Sequence, residues 1–151
     1  MESHEWRRDR HRITTDPAQM DLDVVHGFLT TCYWAAGITR ERVVQSIAGS
    51  IPFGLFEDGR QVGFARVISD HATFAWLADV FVLPEARGRG LGIWLVETIL
   101  AHPDLQGLRR WSLATRDAHS LYARFGFVRL ANPERMMEYR SGSPEAGGSP
   151  R

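Results

Sequence analysis

The chain has no lysine. Its 18 basic residues are all arginine, and 18 acidic residues cancel them, leaving a formal net charge of +0. That balance lacks the basic excess of a general nucleic-acid or membrane-surface binder, so neither partner is expected. The missing lysine excludes a P-loop, whose phosphate-binding turn ends in Gly-Lys-Ser/Thr. Cys32 is the only cysteine, which rules out an intrachain disulfide and suits a reducing, cytoplasmic setting. His4, His11, His26, His71, His102 and His119 fall at no ligand spacing, so no metal is expected. No apolar run approaches the roughly 20 residues of a membrane span. The charged start, Met1 to Arg10, lacks the apolar stretch of a secretory signal.

What is present is an ordinary globular composition. A length of 151 residues with 44% hydrophobic content is enough for one domain with one sizeable core. Residues 1–10 are charged and aperiodic and read as a loose arm, and the Gly/Ser/Pro-rich residues 141–151 read as a flexible tail. The domain is expected over 11–140.

Within it, Ile13 to Thr15 suggests a short strand. Leu22, Val25, Phe28, Leu29 and Cys32 follow helical spacing, which predicts a helix from Asp21 to about Trp34. Thr39 reads as the N-cap of a second helix that stops at Gly49. Ile51–Glu57 and Gln61–Ile68 read as strands joined by an Asp58-Gly59 hairpin turn. Phe74 to Val82 is apolar on both faces, as a central strand should be, except at Asp79. A helix follows from Leu91 and must end before Pro103. Trp111 to Thr115 is a further strand, and Asp117 reads as the cap of a short helix running to about Phe125. Phe127–Leu130 and Met136–Tyr139 read as a last pair of strands. Hairpins combined with one helical crossover predict a mixed sheet covered by helices.

The chemistry concentrates between Val80 and Leu100. Arg87, Gly88, Arg89, Gly90, Leu91, Gly92 and Ile93 stand where a strand becomes a helix. Glycines there let a ligand approach the backbone, and the free amides of a helix start favour phosphate. A dinucleotide fingerprint counted from Gly88 needs glycine at position 93, which is Ile93. The pattern Arg/Gln-x-x-Gly-x-Gly/Ala is met in full by Arg87, Gly90 and Gly92. Downstream, Leu121-Tyr122-Ala123-Arg124-Phe125-Gly126-Phe127 is a helix ending in Gly-Phe.

In these two signatures the sequence resembles the GNAT superfamily of acyl-CoA-dependent N-acetyltransferases. The resemblance implies an α+β fold with a central mixed, mostly antiparallel sheet, splayed between the fourth and fifth strands and flanked by helices. It implies acetyl-CoA as cosubstrate, with its pyrophosphate on the amides and arginines of 87–93. Its pantetheine arm would lie along Val80, Phe81 and Val82, and the Val82 N–H would polarise the thioester carbonyl. Tyr122 is implied as general acid to the coenzyme thiolate and Asp79 as base or amine-orienting carboxylate, unless Asp79 pairs with Arg66 or Arg116. Asp117 lies where many relatives contact the coenzyme with Asn, and a plain N-cap is its competing role. Tyr33 and Trp34 precede the acceptor-covering loop and are candidates to line an acceptor pocket.

The expected reaction is acetyl transfer to a primary amine, a small molecule in the first instance, by direct attack in a ternary complex. No cysteine sits in either signature to form an acyl-enzyme. The alternatives are an acyl-CoA-binding regulatory module and a protein or peptide N-acetyltransferase. The last strand leaves room for a homodimer by exchange or pairing.

Overall fold

The computed structural model describes residues 1–141. Its centre is a sheet in which six strands follow one another in chain order: β1 (Glu5–Arg8), β2 (His11–Thr14), β3 (Ile51–Glu57), β4 (Arg60–Ser69), β5 (Phe74–Val82) and β6 (Arg110–Ser112). The first four pairings are antiparallel and β5–β6 is parallel. Helices α1 (Leu22–Leu29) and α2 (Arg40–Ala48) lie between β2 and β3, α3 (Leu91–Leu100) between β5 and β6, and α4 (His119–Ala123) after β6.

The apolar residues sort onto two sheet faces. Ile13, Phe53, Leu55, Val67 and Leu77 pack with Trp94, Leu95 and Ile99 of α3 and with Tyr122 of α4. Phe64 and Phe81 pack on the other side with Val25 and Leu29 of α1 and Val43 and Ile47 of α2. The sheet is thus covered on both faces, the mixed α+β architecture expected.

β5 and β6 are paired only from Phe74–Arg110 to Trp76–Ser112, while β5 continues to Val82. The two strands part beyond Trp76. This is the anticipated splay, displaced to the fifth and sixth strands because β1 adds one at the start. Residues 5–8 are therefore not a loose arm. Glu5 to Arg8 pair with Thr14 to His11, and Trp6 stacks on Phe53, so an aromatic anchor overrides the charged composition.

Three further expectations fail locally. α1 stops at Leu29 instead of reaching Trp34. The Thr31 hydroxyl bonds the Phe28 carbonyl at 2.9 Å, competing with the helix ladder, and the following turn closes with the Gly37 N–H on the Thr30 carbonyl. Asp117 does not cap α4. The Thr115 hydroxyl accepts the Ala118 N–H at 3.0 Å, Ala118 holds the cap position, and Asp117 is exposed. Phe127–Leu130 and Met136–Tyr139 form no strands, and Val128, Met137 and Tyr139 face solvent.

Candidate active site

The central strand is irregular at its one acidic residue. Asp79 has φ 57°, and the β4–β5 register shifts between Phe64–Phe81 and Arg66–Ala78. Ala65 of β4 thereby stands opposite both Asp79 and Val80 of β5, a β-bulge. Its consequence is a change of face. Ala75 and Leu77 belong to the α3 side, and strict alternation would put Phe81 there too. Instead Phe81 stacks on Phe28 of α1 at 4.1 Å, while Val80 and Val82 turn to the α3 side. The bulge thus presents the end of β5 to the gap left by β6.

That gap opens a cleft of about 800 Å3. Its lining includes Val80, Phe81 and Val82, the turn Arg87, Gly88, Gly90, Leu91, Gly92 and Ile93, and Tyr122. Gly88 and Gly90 have φ 80° and 75°, values that L side chains adopt at a cost, so glycine is required at both. Gly90 is the residue before α3 and caps it with no side chain, leaving the helix-start amides facing the turn. Arg87 Nε donates to the Val82 carbonyl at 2.8 Å, fixing the turn to the strand end. Arg89 does not line this cleft. Its guanidinium donates to Glu57 at 2.6 Å, and Glu57 also meets His11 at 2.8 Å. His11 and then Arg89 hold the Glu57 carboxyl below its ordinary value.

A second cleft of about 440 Å3 adjoins the first. It is lined by Trp76, Asp79, Arg66, Leu113 and Thr115, and it shares Tyr33, Trp34, Val80, Arg116, Asp117, Ala118 and Tyr122 with the larger one. Asp79 is held at both oxygens. Arg66 Nε donates to Oδ2 at 2.6 Å and Trp34 Nε1 to Oδ1 at 2.9 Å. Of the two arginines considered as its partner, Arg66 is the one in place. Arg116 instead lies over the Tyr33 ring, 3.8 Å from its centroid, and its backbone N–H donates to the Tyr33 hydroxyl at 3.2 Å.

Tyr122 stands where the clefts meet. It is 7% exposed, edge-on to Phe127, and burial followed by the Tyr33 phenol pushes its own phenol up to about 12. Cys32 lines the larger cleft although it lies outside both sequence signatures. Burial pushes its thiol up, the Asp79 charge adds to this, and Arg87 opposes it; the thiol donates to the Phe28 carbonyl. A thiol so placed is a poor nucleophile, because the thiolate is the reactive form.

The structure brings Tyr122, Asp79, the glycine turn, and Tyr33 with Trp34, each named from the sequence, around one pair of connected clefts. It missed Phe28 and Cys32, which reach the larger cleft from a distant segment and carry no local motif. Arg66 was named only as a structural partner.

The family model described as "Acetyltransferase (GNAT) domain" matches residues 49–129. The chain belongs to the GNAT acetyltransferase family. A Gibberella zeae protein named as a candidate acetyltransferase is 31% identical over 142 residues, covering 79% of each chain. A crystal structure of a candidate GNAT-family acetyltransferase from Xanthomonas campestris pv. campestris is 52% identical. It covers 87% of this chain and 93% of its own, with a TM-score of 0.84. A predicted acetyltransferase from Clostridium acetobutylicum, solved with acetyl-CoA, is 10% identical. It covers 92% of this chain and 96% of its own with a TM-score of 0.64, a likeness of fold. The protein is accordingly an acyltransferase, and GNAT acetyltransferases use acetyl-CoA. Among the described residues no helix is long and apolar enough to cross a membrane.

Proposed function

We propose that this GNAT protein transfers the acetyl group of acetyl-CoA to the primary amine of a small molecule in a ternary complex. The observation that carries this reading is the meeting of two clefts at Val80 and Tyr122. One runs from the glycine turn along the unpaired side of β5. Its shape suits a pyrophosphate on the helix-start amides and a pantetheine arm hydrogen-bonded to Val80–Val82 like an added strand. The fold's likeness to a neighbour solved with acetyl-CoA supports this choice of donor. The other cleft, walled by Trp34, Trp76 and Tyr33, has a volume suited to a small acceptor rather than a peptide.

In the proposed step the amine nitrogen attacks the thioester carbonyl carbon, and the Val82 N–H receives the developing oxyanion. Collapse forms the amide and breaks the carbon–sulfur bond. The thiolate takes its proton from the Tyr122 hydroxyl, which burial keeps protonated until that step, and the phenolate left behind is reprotonated from solvent water. The ammonium proton leaves through water toward the acceptor cleft. Asp79, locked by Arg66 and Trp34, orients the amine and shapes the pocket. Cys32 has no part in the transfer, consistent with its raised thiol. Asp117, exposed at the rim shared by both clefts, is left as a contact to the coenzyme or acceptor.

The test is coenzyme A release over a panel of primary amines, for the native chain and Tyr122→Phe, with coenzyme binding followed by calorimetry. The expected result is a kcat lowered about 100-fold or more at unchanged coenzyme affinity. An unchanged kcat removes Tyr122 from the mechanism. Coenzyme binding with no release for any amine removes the transfer reading.

A further inference from the structure

The smaller cleft carries its charges in pairs. Arg66 and Asp79 form an inner pair, with side chains 18% and 10% exposed. Arg116 and Asp117 form an outer pair 3.8 Å apart, with side chains 65% and 72% exposed, so water screens it. The inner pair is only partly used up. Arg66 meets Asp79 through Nε alone, and its two Nη groups have no hydrogen-bond partner among the described residues. Each Asp79 oxygen accepts one bond, from Arg66 Nε or from Trp34 Nε1, and keeps a further lone pair.

A guanidinium pinned at Nε is already oriented, and its Nη fork matches the two oxygens of a carboxylate. Beside it, the spare lone pairs of Asp79 match an ammonium. The two side chains cancel in charge, so the inner pair offers a dipole and no net charge. A zwitterion complements that dipole, whereas a polyamine or a phosphorylated amine leaves charge unmatched in the cleft. The remaining lining is mostly apolar, with Trp34 and Trp76 its largest walls and Leu113 and Ala114 alongside. Trp34 is tied at its ring nitrogen and still 43% exposed, which leaves its aromatic face for an apolar body.

We infer that the acceptor is an apolar amino acid, held with its carboxylate on the Arg66 Nη fork and its amine beside Asp79. The inference rests on the acetyl-transfer reading and deepens it. The amine nitrogen forms the amide and the carbon–sulfur bond breaks as in the step above, with the thiolate protonated by Tyr122. The carboxylate stays on Arg66 unchanged, and the products are an N-acetyl amino acid and coenzyme A. Arg66 thereby sets specificity, and Asp79 is the positioning residue that holds its fork in the cleft.

Calorimetry on the full chain saturated with coenzyme A tests it, with each amino acid set against its decarboxylated amine. The pairs are leucine and 3-methylbutylamine, phenylalanine and 2-phenylethylamine, and tryptophan and tryptamine. At least one amino acid should bind about tenfold or more tightly than its amine, the gain of a bidentate charged contact. Arg66→Lys keeps a cation for Asp79 but loses the fork, and that preference should largely vanish. If the variant does not fold, the amino acid amide decides on the native chain: lacking the carboxylate, it should bind no better than the amine. The inference is overturned by amines that bind as tightly in every pair, by no binding at all, by a preference that Arg66→Lys leaves intact, or by an amide that binds like the amino acid. Coenzyme A release from acetyl-CoA is read second. Preferred binding of the amino acid without release overturns the transfer reading and leaves the carboxylate site standing. Release with the amines alone overturns the inference and leaves transfer standing.

Discussion

Asp79 carries several structural tasks at once. A carboxylate on a central strand is costly to bury alone, and here Arg66 and the Trp34 indole take one oxygen each. The same residue adopts φ 57°, a conformation that Asp tolerates better than a bulky or branched residue, and so permits the bulge that turns Val80 and Val82 toward the cleft. Asp79→Ala leaves the Arg66 guanidinium unpaired and frees Trp34. It should cost roughly 3 kcal/mol in urea unfolding and raise the acceptor KM more than the coenzyme KM. Equal stability of mutant and native chains would show that the pair is replaceable by water. Asp79 was visible in the sequence as the one break in an apolar strand. Its partner was narrowed only to Arg66 or Arg116, because Arg66 belongs to another strand and the bulged register is what brings it to Asp79. Asp117 failed in the opposite way: its position suggested a cap, but Thr115 lies closer to the orphan N–H.

The turn between β5 and α3 is where local rules and structure agree. Gly90 lies at φ 75°, and no heavy atom comes within 4 Å of where a Cβ would stand, so Gly90→Ala should act through backbone strain rather than collision. About 1 kcal/mol of destabilisation is expected. Coenzyme affinity should weaken several-fold as the helix-start amides shift, which calorimetry measures. At the other end of α3, His102 is fully buried, its Nδ1 accepting the Asp104 N–H, with the His4 ring edge-on at 4.9 Å. Burial, then His4, push His102 below its ordinary value, and Asp104 opposes this. Between about pH 7.5 and 5.5 the unfolded chain therefore takes up a proton that the folded chain resists. Stability is full above about pH 6.5 and declines as pH falls through that value. The urea midpoint should be lower at about pH 5.5 than at about pH 7.5, and His102→Phe should shrink that difference. Helix α1 shows the limit of periodicity. Its apolar spacing continues to Cys32, yet the hydroxyl of Thr31 and the reach of Trp34 to Asp79 end it at Leu29.

The assembled domain is a sheet with α1 and α2 on one face and α3 and α4 on the other, and its site lies where the sheet comes apart. A ligand filling that gap replaces the missing strand, so binding and stability should be linked. Coenzyme A at about 100 times its dissociation constant should stabilise the chain by about 2.7 kcal/mol. That corresponds to a Tm rise of roughly 5–10 °C for a domain of this size, readable by calorimetry or dye fluorescence. No shift at saturating coenzyme would separate the cleft from the proposed ligand.

Local order was encoded locally. The Asp58-Gly59 turn, the bounds of β5, the Thr39 cap and the glycine turn into α3 follow from short-range sterics and orphan amides that neighbouring residues satisfy. The anchoring of β1 through Trp6, the Arg66–Asp79–Trp34 link and the entry of Cys32 into the cleft follow from packing between segments far apart in the chain. No periodicity encodes which distant side chain completes a buried charge. That is why the glycine turn could be read from the chain alone, while the bulge that joins the two clefts needed the folded sheet.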